Sequence, residues 1–393
     1  MRISDEQRRA RLGRRHHLAA ESRAKTVVDV AHDLVGLHAT DPTAVFLAAA
    51  ARMKDPSIAA VERALYDDRS LVRVLGMRRT LFVEPVELVP IVYASSTAAV
   101  AARNRAAIEK DVVAYGIAAD GAAWLRAVEE QTHAALVARG QATGSQLSAD
   151  VPLLRTQVPS DGGKAWEGFQ GLTSRVLTQL GADGLIVRGR PRGSWSSTQH
   201  TWMPMAAWLG GELPVVPAEE ARAELVRRWL RSFGPATVAD VRWWTGWSAG
   251  EVKRALAAVT PVEVDLDSGA TGLVLADDTA AVRSPKPWAA LLPALDPTAM
   301  GWTERIWYVG PHTALLFDRS GNIGPTVWWC GRIVGGWGQR ADGDVVVRLL
   351  EDIGTEGAAA VDAEAERVMA FLGGTRITPR FRTPIERELA SMP

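Results

Sequence analysis

The chain has 393 residues, 47% of them hydrophobic, and 45 Lys/Arg balance 45 Asp/Glu, which suits a globular protein of about two to four domains. Cys330 is the single cysteine, so neither an intrachain disulfide nor a cysteine-based zinc site can form, and no metal or cofactor is expected. No apolar run approaches the roughly 18 residues a membrane span needs, and no apolar stretch follows the polar, basic N-terminus, so the expected location is cytoplasmic. The neutral total hides a polarity: residues 1–210 carry 26 basic against 21 acidic side chains, and the remaining 183 carry 19 against 24. Basic clusters stand at Arg8, Arg9, Arg11, Arg14 and Arg15, and again at Arg188, Arg190 and Arg192. Such clusters are footprints of phosphate contacts or solvated faces.

In chain order, the spacing predicts a helix from Ser4 to Leu18, with Ser4 as cap and Asp5 and Glu6 in the positive first turn. A second helix follows the Thr26 cap and stops at His38-Ala39-Thr40-Asp41-Pro42, because a residue before proline is pushed out of the α region. Helices over 43–53 and 57–66 lead to two β runs, 71–75 and 79–83, around Gly76. Helices followed by a two-stranded hairpin are the plan of a winged helix.

A helical connector over 98–139 leads to a second unit, with a helix expected from Trp166 to Leu180 and a hairpin over 185–202 whose tip carries the three arginines and Trp195. A third unit has a helix over 219–233, Thr237 and Ser248 as caps either side of Gly246, and a hairpin over 262–275. The short helix, glycine turn and second capped helix follow helix-turn-helix grammar, and Trp243, Trp244 and Trp247 within it are expected in its core. After Pro285, short β runs at 306–309, 313–317, 326–329, 332–334 and 345–349 suggest a small barrel or sandwich, closed by a helix over 356–372. The expected architecture is α+β: three tandem winged helices within 1–95, 96–205 and 206–283, then a β-barrel-like module over 284–393. All pairing in the first 280 residues should be antiparallel.

The stretches VGLHATDPTAVFLAAAAR (35–52), LVRVLGMRRTLFVEP (71–85), VRGRPRGSWSSTQHTW (187–202) and LLPALDPTAMGWTERIWYVGP (291–311) resemble the HTH_42 winged-helix family, and within it the AlkZ-type alkylpurine DNA glycosylases. The resemblance implies three winged helices forming a concave basic surface for double-stranded DNA, a C-terminal β-barrel, and excision of alkylated or adducted purines; a monomer is expected. The family's active-site triplet, Gln-apolar-Gln or Gln-apolar-Asp, falls here on His38-Ala39-Thr40, so both polar positions differ.

Cleaving an N-glycosidic bond passes through an oxocarbenium-like state, so the site must stabilise positive charge and orient a water. His38 is the candidate base, expected to face the duplex and to lose activity below about pH 6.5. Thr40 could hold the water, while Asp41 could stabilise the cation or simply cap the following helix. Arg78 and Arg79 would flank the same pocket or remain solvated strand-edge charges. Arg188, Arg190 and Arg192 should project into one concave face, with Trp195 as a stacking wedge or folded onto the body. Two other readings stay open: a non-catalytic DNA regulator or lesion sensor, and a protein-interaction scaffold. Neither GxxxxGK[ST], HExxH nor GxSxG occurs, so nucleotide hydrolysis, zinc proteolysis and α/β-hydrolase chemistry have no support.

Overall fold

The structure, a computed structural model, describes residues 1–159 and 169–392, so the expected helix start at Trp166 lies outside the described residues. Local rules hold near the N-terminus. Helix α1, Asp5–Arg15, is capped by Ser4, whose side chain accepts from the Gln7 amide at 3.2 Å. Its arginines do not form a free basic face. Arg11 and Arg15 both reach Asp278, at 2.9 and 2.6 Å, while Arg14 donates to the Arg283 carbonyl. They pin α1 to the segment that precedes the C-terminal sheet.

Helix α2, Val27–Asp33, opens with a Thr26–Asp29 capping box. Strand β2, Leu37–His38, joins β3, Leu71–Leu75, and β4, Leu81–Pro85, in a sheet of order β2-β4-β3. Leu37 faces Val83 and His38 faces Phe82, so the His-Ala-Thr segment is stitched to the first hairpin. Helix α3, Pro42–Arg52, then carries the chain into the core, where Arg52 forms a fully buried pair with Asp296 at 2.7 Å.

The second hairpin pairs Ile186–Pro191 with His200–Pro204, and the third pairs Val262–Leu266 with Thr271–Val274, both antiparallel. Ahead of the third, helices Val238–Thr245 and Ala249–Val259 each open with a capping box, and Gly246 takes the left-handed turn between them with φ 72°. Three expectations fail. Arg2–Ile3, strand β1, pairs in parallel with Val262–Leu266, which the 260-residue connection allows and a hairpin would not. Residues 169–171 form a short strand, and the helix expected from Trp166 starts at Thr173. The runs at 306–309 and 313–316 are helical turns, since short apolar runs carry no periodicity that separates helix from strand.

The C-terminal strands Ala289–Leu292, Thr326–Trp329, Arg332–Gln339 and Val345–Leu349 form an open antiparallel sheet in chain order, with no closed barrel. Helices Gly354–Leu372 and Pro384–Ala390 pack on it. One apolar core runs through α2, α3, the first hairpin, the third helical unit and this sheet, whereas residues from Ile108 to Ile186 gather a separate core. No helix among the described residues is long and apolar enough to cross a membrane.

Candidate DNA-binding and catalytic site

Pairing of β2 with β4 puts the His38 ring against Phe82, with centroids 4.7 Å apart. The ring does not open towards a duplex as expected, because the residue is only 5% exposed. Its Nδ1 is buried with no hydrogen-bond partner. Burial first, then the nearby Arg78 guanidinium, lower the His38 pKa to about 3, so the imidazole is neutral at physiological pH. The Thr40 hydroxyl oxygen is likewise buried without a partner.

Asp41 is engaged on both oxygens. Oδ1 accepts from the Thr43 amide at 2.9 Å and the Thr43 hydroxyl at 2.7 Å, capping α3, and Oδ2 accepts from the Arg380 amide at 3.0 Å. Asp41 thus fastens the C-terminal tail to the segment that carries His38. Replacing Asp41 by alanine should lower unfolding free energy by about 1–3 kcal/mol, through a lost cap and an orphaned amide. Denaturant melts of the two proteins measure this, and equal stability would remove the clamp.

The candidate basic residues separate by partner. Arg190 is neutralised by Asp67 at 2.9 Å and Glu62 at 3.4 Å, Arg79 donates to Asn104 at 3.0 Å, and Arg192 is exposed. The three hairpin arginines therefore have different surroundings, and a register shift between Arg188 and Pro191 breaks the alternation that would align them. Trp195 is no surface wedge. It is buried between Phe46 and Phe371, at 4.8 and 6.4 Å between centroids, where a large apolar ring gains most.

Arg78 and Arg188 are mostly buried yet pair with no carboxylate among the described residues, and desolvation lowers each to a pKa of about 10. Arg78 lies 4.2 Å from the Trp243 ring centroid, and Arg305 lies 5.0 Å from the same ring. Trp243 is therefore a half-buried slab beside two like charges, not the core residue expected; Trp244 and Trp247 do lie in the core. Arg188 sits 5.1 Å from the Trp202 ring, close enough to Arg73 and Arg380 that both depress its pKa. Arg73, Trp243, Arg305 and Arg380 carried no local sequence signal, since each owes its place to distant segments.

Glu84 also escaped notice. It lies on β4, fully buried, with neither carboxyl oxygen bonded, and it occupies space that only glycine leaves open at Gly36, where φ is +93°. Burial, then Glu87, raise its pKa to about 8, so it is largely protonated at neutral pH. Among the described residues, no cluster of His, Cys, Asp or Glu could hold a metal ion.

The family model for DNA glycosylase AlkZ-like matches residues 31–371. Among solved structures, Streptomyces sahachiroi DNA glycosylase AlkZ has the same fold, with a TM-score of 0.72 at 23% identity over 97% of this chain and 100% of that one. No curated protein matches the sequence. With the family match spanning most of its length, the chain belongs to the AlkZ-like DNA glycosylase family.

Proposed function

We propose that this protein is a DNA glycosylase that hydrolyses the N-glycosidic bond of alkylated or adducted purines in double-stranded DNA. In this reading it acts as a monomer, and its three helix-plus-hairpin segments serve as winged helices around the duplex. The single observation that carries it is a set of arginines, 73, 78, 188, 305 and 380, around the His38–Asp41 segment, whose guanidinium groups pair with no carboxylate among the described residues. The buried Arg11 and Arg52, by contrast, each hold an aspartate. Phosphates are the natural missing counter-ions.

A purine alkylated on a ring nitrogen is already cationic, so it leaves without strong acid catalysis. Neutral His38 accepts a hydrogen bond from the attacking water and orients it, with the Thr40 hydroxyl as second holder. Bound phosphates cancel the arginine charge that would otherwise oppose an oxocarbenium ion. Asp41 acts at one remove, by fixing the loop.

A non-catalytic lesion sensor is favoured by one observation, the burial of His38 combined with full engagement of Asp41. Incubation with duplexes containing 7-methylguanine or bulkier purine adducts, scored for abasic sites, separates the two. Base release is the expected result. Tight duplex binding with no release from any adduct would establish the sensor instead.

A further inference from the structure

Arg73 and Arg188 line one cavity, His200 contacts Arg73, and Arg380 stands at Thr40; among the described residues none of these three guanidinium groups pairs with a carboxylate. Arg73 comes from β3, Arg188 and His200 from the two strands of the second hairpin, and Arg380 from the tail. Arg73 Nη1 lies 3.0 Å from Nε2 and 3.2 Å from Nδ1 of His200, so it can donate only to a neutral ring. Arg73 is buried, and its Nε has no partner. Of the neighbouring carboxylates, Glu62 and Asp67 are held by Arg190, and Asp41 accepts from the amide and hydroxyl of Thr43 and from the Arg380 amide. Arg380 is exposed at the rim, and its guanidinium donates to the Thr40 carbonyl at 3.3 Å.

Buried like charges repel, and a protein keeps them together where an anion completes the set. Guanidinium forks match the oxygens of a phosphate better than any other common anion of duplex DNA. Contact between Arg380 and Thr40 puts the anion next to the residue that follows Ala39 in the family's active-site triplet. We propose that Arg73, Arg188 and Arg380 clamp the phosphodiester flanking the target nucleotide, with His200 holding Arg73 in place. The clamp rests on the DNA glycosylase reading, and it assigns a function to Arg73 and the tail that neither local pattern nor family motif indicates. It also explains why the tail is tied to Asp41: the same tether that orders Arg380 orders the catalytic loop.

The test measures binding to a short duplex bearing one abasic-site analogue, with each nearby phosphate replaced in turn by a neutral methylphosphonate. In the wild-type protein, one flanking replacement should weaken binding by about tenfold or more. In Arg188→Gln/Arg380→Gln the same replacement should add nothing, and the log-log salt slope should fall by about two units. Excess inorganic phosphate should compete only weakly, since the clamp is fitted to a phosphate presented by the duplex. Equal sensitivity of both proteins to every replacement, or an unchanged salt slope, would overturn the clamp, as would strong competition by free phosphate. The methylphosphonate scan on the wild-type protein needs no substitution, so it decides even if the double variant folds poorly. A protein that shows this coupling yet releases no base would sink the glycosylase reading and leave the clamp standing.

Discussion

His38→Ala is expected to slow single-turnover release of an alkylated purine by about 10²–10⁴-fold while leaving duplex affinity nearly intact. The reasoning starts from the strand pairing that sets the ring against Phe82, with Nδ1 buried and unbonded. A neutral imidazole that has no competing donor is ready to accept from a water once a nucleotide enters. Because its pKa lies near 3, base release should show no loss from this group as pH falls through about 6.5, unlike an ordinary histidine. His38→Gln restores the amide found at this position in the family's motif, and should recover much of the rate. A rate that falls tenfold per unit below pH 6.5, or an alanine variant as fast as wild type, would show that another group positions the water.

Glu84→Gln should remove a pH-dependent destabilisation of about 3 kcal/mol that builds between pH 5 and 8 in the wild-type protein. The folded-state pKa of Glu84 is raised from its ordinary 4.5 to about 8. Between those values the folded chain holds a proton that the unfolded chain releases, so stability is lost as pH rises. His16, His38 and His200 act in the opposite sense. Their folded pKa values are depressed, so they are neutral when folded, and unfolding takes up protons as pH falls below about 6.5. Both proteins carry these histidines, so subtracting the two unfolding curves isolates Glu84. Parallel curves across this range would mean that Glu84 is ionised in the fold.

The local elements were legible because their causes lie within a few residues. Ser4, Thr26, Thr237 and Ser248 cap helices through side chains that reach amides three residues on. The hairpins at 71–85, 186–204 and 262–274 follow from β runs flanking turn residues, and Gly246 supplies a left-handed turn. The triplet that the resemblance implies nominated His38-Ala39-Thr40 from position in the chain alone, without tertiary information.

Only the tertiary structure decided which charges are free. Arg52 is matched to Asp296 and Arg11 to Asp278, more than two hundred residues away, so a basic cluster in sequence says nothing about neutralisation. The same distance effect hid Trp195 in the core, left Trp243 half exposed beside two arginines, and brought Arg73, Arg188 and Arg380 together. It also turned the expected barrel into an open sheet covered by two helices. Hydrogen bonds that cap helices and close turns are short-range and written in neighbouring residues. Charge pairing and burial depend on which remote segments arrive, and a linear pattern does not contain that.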